Sequence, residues 1–272
     1  MDKKHLIVCG DSFTEGHTMG EQASWAYWTA NTLRLKLINL AIGGMSNEWI
    51  TMRTLSYLQT NKDKWKDSVV MIAWTEMMRQ MTFFDDLGQT SIGKWVWSAQ
   101  PTDFEKNDWS KDTPGEWLYK NRKYLYPFFS NLPWALMKTY NSIMVLKSFL
   151  DSNNIPYLFF DAVNDNKLYY EEDGTYLRDF EFVKQPFDVT EDHDSVGDIV
   201  NEKMVEYLFD EKYVTIDGTT LLNWIHQVGD ERYCEGNSGH TNVFGAQEAS
   251  EYIVKHYERI YNKGQLGLGN LI

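Results

Sequence analysis

The first 74 residues alternate between apolar runs and helical periods, and that alternation narrows the fold more than any other feature of the chain. Residues 5–9, HLIVC, are a short apolar run that ends at Gly10-Asp11-Ser12. A run of this kind suits a central strand covered on both faces. Ser24 then stands as an N-cap, and Trp25, Trp28 and Leu33 recur at near-helical spacing, which predicts a helix over 24–34. Residues 36–41, KLINLA, read as a second strand, broken by Gly43-Gly44. Asn47 is a candidate cap for the next helix, in which Trp49, Met52, Leu55 and Leu58 recur every third residue. SVVMIA at 68–73 reads as the third strand. An order of β-α-β-α-β argues for a parallel, doubly wound sheet, because parallel neighbours need a crossover and helices supply it.

The pattern returns after residue 133. Residues 134–151 read as a helix with Leu136, Tyr140, Ile143 or Met144, and Lys147 on successive turns. IPYLFF (155–160) reads as a strand, YVTI (213–216) as a fifth, and 243–261 as a closing helix with Ala246, Ala249, Ile253, Tyr257 and Ile260 on one stripe. Two long stretches break the alternation. Residues 80–133 are rich in Trp, Tyr, Phe, Pro and Asp, and residues 162–212 are acidic and rich in tyrosine. Segments of that length inside a compact domain are uncommon and often serve as lids, so both are expected as insertions that cap the sheet within one domain spanning 1–272. Trp95-Val96-Trp97 alternates as a strand would. No internal repeat is present.

Charge and composition exclude several classes. The formal net charge is −13, and no basic run exceeds Lys3-Lys4 or the mixed Lys120–Lys123 stretch, so no phosphate-neutralising face is expected and nucleic acid is not an expected partner. No stretch approaches the ~20 apolar residues of a membrane span, and the opening MDKKHLIVCG is too short in its apolar part for a signal-peptide core. Two cysteines, Cys9 and Cys234, make no disulfide framework. The expected setting is reducing and cytoplasmic, or a particle component made inside the cell. The six histidines are scattered without metal-ligand spacing, and Glu191-Asp192-His193-Asp194 lacks the spacing of a calcium loop, so neither metal nor organic cofactor is expected.

Ligands of open α/β sheets bind beyond the carboxyl ends of the strands. A Ser in the turn after the first strand projects into that crevice, and the glycines of Gly10-Asp11-Ser12-Phe13-Thr14-Glu15-Gly16 allow a tight turn there. His240 stands in a loop ahead of the last helix, followed by a good cap, Asn242. An imidazole so placed is a candidate general base for the Ser12 hydroxyl.

GDSFTEG at 10–16 resembles the first sequence block of the GDSL/SGNH serine hydrolases. The resemblance makes Ser12 the nucleophile and gives Asp11 a structural role in the turn. Asn39-Leu40-Ala41-Ile42-Gly43-Gly44 is similar to the second block, and implies that Gly44 donates a backbone N–H to the oxyanion, with the Ser12 N–H as a second donor. The third block departs: where the family shows Gly-x-Asn-Asp, this chain has Ala73-Trp74-Thr75-Glu76, in an ending similar to that of phage-encoded members. Thr75 and Arg79 are candidate replacements for the missing donor, and Asn47 is a further candidate oxyanion or substrate contact. The last block, Asp-x-x-His in the family, is Asn237-Ser238-Gly239-His240 here. Asn237 then takes the orienting position. An amide holds the ring but does not stabilise the imidazolium, and in a serine protease the same exchange costs about 10⁴ in kcat. Asp230, Glu231 and Glu235 are nearby candidates to supply the carboxylate.

The expected architecture is a flavodoxin-like three-layer α/β sandwich with a parallel sheet of strand order 2-1-3-4-5 and two inserted cap segments. The expected reaction is ester hydrolysis through a Ser12 acyl-enzyme with His240 as base. Fifteen per cent aromatic residues and polar insertions suit a carbohydrate ester, such as an O-acetyl sugar, better than a long-chain lipid. Two alternatives stay open: a catalytically weakened scaffold that binds glycans or partner proteins, and an acyltransferase on the same site. Oligomeric state is not read from the sequence.

Overall fold

A computed structural model describes residues 3–16, 20–84, 95–99, 120–121, 132–163, 202–228 and 240–261. Four strands form one parallel sheet: β1 (His5–Cys9), β2 (Lys36–Asn39), β3 (Ser68–Trp74) and β6 (Tyr157–Asp161), in the spatial order β2-β1-β3-β6. The registers are continuous, with Ile7 opposite Ile38 and Val70, and Ile72 opposite Phe159. A separate antiparallel pair, β4 (Gln80–Phe84) and β5 (Trp95–Ala99), lies within the first expected insertion. The helices are α1 (Ser12–Glu15), α2 (Trp25–Thr32), α3 (Asn47–Thr60), α4 (Leu132–Ser152), α5 (Glu202–Leu208), α6 (Leu221–Val228) and α7 (Val243–Tyr261).

Strand alternation explains why the sheet is covered on both sides. Successive side chains point to opposite faces. Ile7, Cys9, Val70, Ile72, Trp74 and Phe159 pack with Ile50 and Leu58 of α3 and with Tyr140, Ile143 and Leu146 of α4. Leu6, Val8, Val69, Met71, Ala73, Leu158 and Phe160 pack on the other face with residues of α2, α6 and α7. Cys9 belongs to the first cluster, and burial pushes its thiol up to about 12.

Several element bounds shift by one or two residues from the sequence reading, and three of the differences have a clear local reason. β2 stops at Asn39, not residue 41, because the Asn39 Oδ1 accepts the Ala41 N–H at 3.0 Å and folds the chain into a side-chain-closed turn. The cap of α3 is Ser46, whose Oγ accepts the Trp49 N–H at 3.4 Å, and Asn47 is the first helical residue. The expected fifth strand makes only an isolated parallel bridge, Phe159 to Tyr213, at the expected place beside β6. Its extension ends at once, since Asp217 (φ 49°) and Gly218 (φ 82°) reverse the chain and pair Ile216 with Thr219.

The bridging segment is tied down at the amino end of β6. Lys147 of α4 is buried there; its Nζ donates to Tyr157 Oη at 2.7 Å and pairs with Asp210 at 2.6 Å, while Lys212 pairs with Asp151 at 2.8 Å. A buried cation is tolerable only with such partners. Burial first, and then the Asp151 and Asp210 carboxylates, hold the Tyr157 phenol well above its ordinary range.

Candidate active site

Ser12 begins a single helical turn at the carboxyl end of β1. Asp11 caps that turn: its Oδ1 accepts the Phe13 N–H at 3.1 Å. Gly16 closes it in the left-handed region at φ 82°. The turn is held from several directions. The Thr14 carbonyl accepts from Ser24 Oγ at 2.6 Å and from Asn39 Nδ2 at 2.9 Å, and the Trp25 indole N–H reaches Thr14 Oγ1 at 3.2 Å. Gly10 is required by space: a Cβ there would lie 2.2 Å from Thr14 Oγ1 and 3.0 Å from the Ala73 carbonyl.

His240 arrives from the far end of the chain. Its Nε2 lies 2.8 Å from Ser12 Oγ, and the two residues are separated by 228 positions. The imidazole stacks on Phe13 with ring centroids 4.8 Å apart and 30° between planes. Thr241 Oγ1 fastens the approach by donating to the Ala23 carbonyl at 2.9 Å, and Asn242 Oδ1 caps α7 by accepting the Gly245 N–H at 3.0 Å. A hydroxyl at this distance from an imidazole nitrogen is within the reach that proton transfer requires.

The loop after β2 comes to the same place. Glu15 Oε2 accepts the Gly43 N–H at 2.8 Å, which ties the loop to the Ser12 turn. Gly44 follows at φ 79°, a conformation that favours glycine. The Gly43 N–H is taken, and among the described residues no acceptor meets the Gly44 N–H.

The end of β3 is organised differently from the sequence expectation. Thr75 is fully buried, and its hydroxyl donates to Asp11 Oδ2 at 2.7 Å. A hydroxyl has one proton, so Thr75 has none to offer an oxyanion. Asn47 is not a substrate contact either. It is buried, its Oδ1 accepts the Thr75 N–H at 2.9 Å, and its Nδ2 donates to the Thr75 carbonyl at 3.1 Å and to Thr139 Oγ1 at 3.2 Å. Both expectations give way to the same cause: these polar groups are sealed from water and satisfy one another. Arg79 Nη1 donates to Thr75 Oγ1 at 3.1 Å and stands 3.6 Å from Asp11 Oδ2, with part of its side chain at the surface.

Asn237, with Asp230, Glu231 and Glu235, lies outside the described residues. Phe13 and Glu15 are the site residues that sequence reasoning did not single out. Their only signal was adjacency to Ser12, since neither a stacking shelf nor a carboxylate tether leaves a periodic mark. Among the described residues no three His, Cys, Asp or Glu side chains are grouped to hold a metal ion, and no helix is long and apolar enough to cross a membrane.

No family model and no curated protein matches this chain. Solved structures do resemble it. The psychrotrophic esterase EstA from Pseudoalteromonas sp. is 9% identical, with 96% of this chain and 100% of that chain covered at a TM-score of 0.49. A member of the lipolytic protein G-D-S-L family from Veillonella parvula is 11% identical, with 96% and 99% covered at 0.45. A two-domain esterase active on acetylated mannans is 12% identical, with 98% of this chain and 52% of that chain covered at 0.46. At these identities and scores, the function of this chain rests on its own geometry.

Proposed function

We propose that this chain is a serine ester hydrolase. The observation that carries the proposal is the 2.8 Å contact between Ser12 Oγ and His240 Nε2 at the carboxyl end of a parallel sheet. In the proposed reaction Ser12 Oγ attacks the ester carbonyl carbon while His240 Nε2 takes its proton. The tetrahedral intermediate collapses, the carbon–oxygen bond to the leaving alcohol breaks, and His240 returns the proton to that alcohol. Water, deprotonated by the same nitrogen, then attacks the acyl-enzyme; the bond between the acyl carbon and Ser12 Oγ breaks, His240 returns the proton to Ser12 Oγ, and the acid leaves.

The Ser12 and Gly44 backbone N–H groups are the proposed oxyanion donors. Charge grows on the carbonyl oxygen in the transition state, and losing one such donor typically costs ~10²–10³ in rate. Thr75 is committed to Asp11 and Arg79 donates to Thr75, so neither is assigned as a third oxyanion donor. Asn237 is proposed to orient His240. We read residues 1–272 as one domain, with the segments at about 80–133 and 162–212 inserted over the sheet edge. A carbohydrate O-acetyl ester is the proposed substrate class, on the strength of the aromatic content.

The committed Thr75 hydroxyl favours a second reading, a weak catalyst that binds glycans or partner proteins. Hydrolysis of p-nitrophenyl acetate by the wild-type chain and by Ser12→Ala separates the two. The hydrolase reading expects turnover in the wild type and loss to background in Ser12→Ala. Equal rates in both would reject the serine mechanism.

A further inference from the structure

We infer that Thr75 and Arg79 form a positioning relay that acts on Ser12 through Asp11; the inference rests on the serine hydrolase reading. The direction of each bond is fixed by chemistry. Arg79 has only donors, so its Nη1 must donate to Thr75 Oγ1, 3.1 Å away. The single Thr75 hydroxyl proton therefore goes to Asp11 Oδ2 at 2.7 Å. The other Asp11 oxygen accepts the Phe13 N–H at 3.1 Å. The relay thus runs from a cation at the end of β3 to the peptide that directly follows the nucleophile.

Its middle member is held on both sides. The Thr75 peptide is gripped on both its N–H and its carbonyl by the Asn47 amide, at 2.9 and 3.1 Å, and Asn47 is itself held by Thr139 of α4. Asp11, Thr75, Asn47 and Thr139 are all buried. In such surroundings charge-assisted bonds are short, strong and little competed by water. The Ser12 N–H is part of the same turn as the Phe13 N–H that Asp11 holds. A relay that fixes the carboxylate also fixes the direction of that donor, and oxyanion stabilisation depends on donors aimed in advance. Thr75 touches no substrate in this scheme. It holds the turn that does.

Thr75→Val removes the hydroxyl at nearly constant shape, Thr75→Ser keeps it, and Arg79→Met removes the cation from a partly exposed site. Each full-length variant is assayed for kcat and KM on p-nitrophenyl acetate and for the rate of Ser12 modification by a fluorophosphonate, with thermal unfolding as a control. Loss of a bond to a charged group leads us to expect about a tenfold fall in kcat and in modification rate for Thr75→Val, with KM within about twofold of wild type. Thr75→Ser restores both rates to within about twofold, and Arg79→Met lowers them about threefold. Unchanged kcat in Thr75→Val, a loss confined to KM, or failure of Ser to restore the rates would overturn the relay. If Thr75→Val does not fold, wild-type rates in Arg79→Met overturn it instead. A wild-type chain that neither turns over ester nor takes the phosphonate sinks the hydrolase reading and the relay with it, whereas equal labelling of the wild type and every variant sinks the relay alone.

Discussion

Asn47→Ala tests the clamp at the end of β3 without reference to any activity. The amide makes three hydrogen bonds, two of them to the Thr75 N–H and carbonyl. Thr75 is 0% exposed and Asn47 is 1% exposed, so water does not readily replace the lost partners. An unsatisfied buried polar group costs about 1–3 kcal/mol. Two backbone groups orphaned together, with some relaxation, give an expected loss of ~3 kcal/mol. At ~2.1 cal/mol/K per residue the unfolding entropy of a 272-residue chain is about 0.6 kcal/mol/K, so Tm should fall by ~5 °C. Urea unfolding followed by tryptophan fluorescence reads the change as a lower midpoint at an unchanged m value. Thr139→Val is the comparison, since it orphans one buried Asn47 N–H and leaves the Thr75 peptide paired; it should cost about 1 kcal/mol, well below the loss for Asn47→Ala. A loss below about 0.5 kcal/mol for Asn47→Ala, or one no larger than that of Thr139→Val, would refute the clamp.

Three further predictions concern other parts of the frame. Gly10→Ala places its Cβ 2.2 Å from a Thr14 hydroxyl that is already engaged by Trp25, so it should lower stability by about 1–3 kcal/mol in the same urea assay, and a neutral effect would mean the turn before Ser12 is slack. In a Cys234→Ser chain the buried Cys9 thiol, held up to about 12, should stay unreactive toward a thiol-specific disulfide reagent at pH 8 until denaturant is added; prompt reaction in buffer contradicts its burial. Burial also holds the Tyr261 phenol up to about 12, so between pH 10 and 12 the unfolded chain releases a proton that the folded chain keeps. Stability should fall across that window, less steeply in Tyr261→Phe, and a urea midpoint that does not move with pH there would rule the shift out.

The layers of the fold were legible because apolar strands and helical stripes leave periodic marks. HLIVC and SVVMIA read directly as β1 and β3, and Ser24 read directly as the cap of α2. Residues whose placement depends on direction were less legible. Ser46 and Asn47 are both good caps, and only the backbone decides which of them precedes the first helical residue. Thr75 stood at a strand end where a donor was expected, yet nothing in its identity says whether its hydroxyl faces the crevice or the Asp11 carboxylate. YVTI has the composition of a strand, but the reversal at Asp217-Gly218 cuts it to a single bridge. Lys147 read as one residue of a helical stripe, and its burial follows from Asp210 and Tyr157, which are remote in sequence. The approach of Ser12 and His240 was readable because both flank elements whose places in a doubly wound sheet are fixed, although the Phe13 ring on which the imidazole stacks was not.

The most direct test of the account is mass spectrometry of the chain after reaction with a fluorophosphonate, in the wild type and in His240→Ala. A paired general base contributes about 10²–10⁴ to such a nucleophile. The account predicts a single phosphonyl adduct, on Ser12, that forms at least about a hundredfold more slowly without His240. No adduct on Ser12, or an adduct that forms equally fast in His240→Ala, would contradict it.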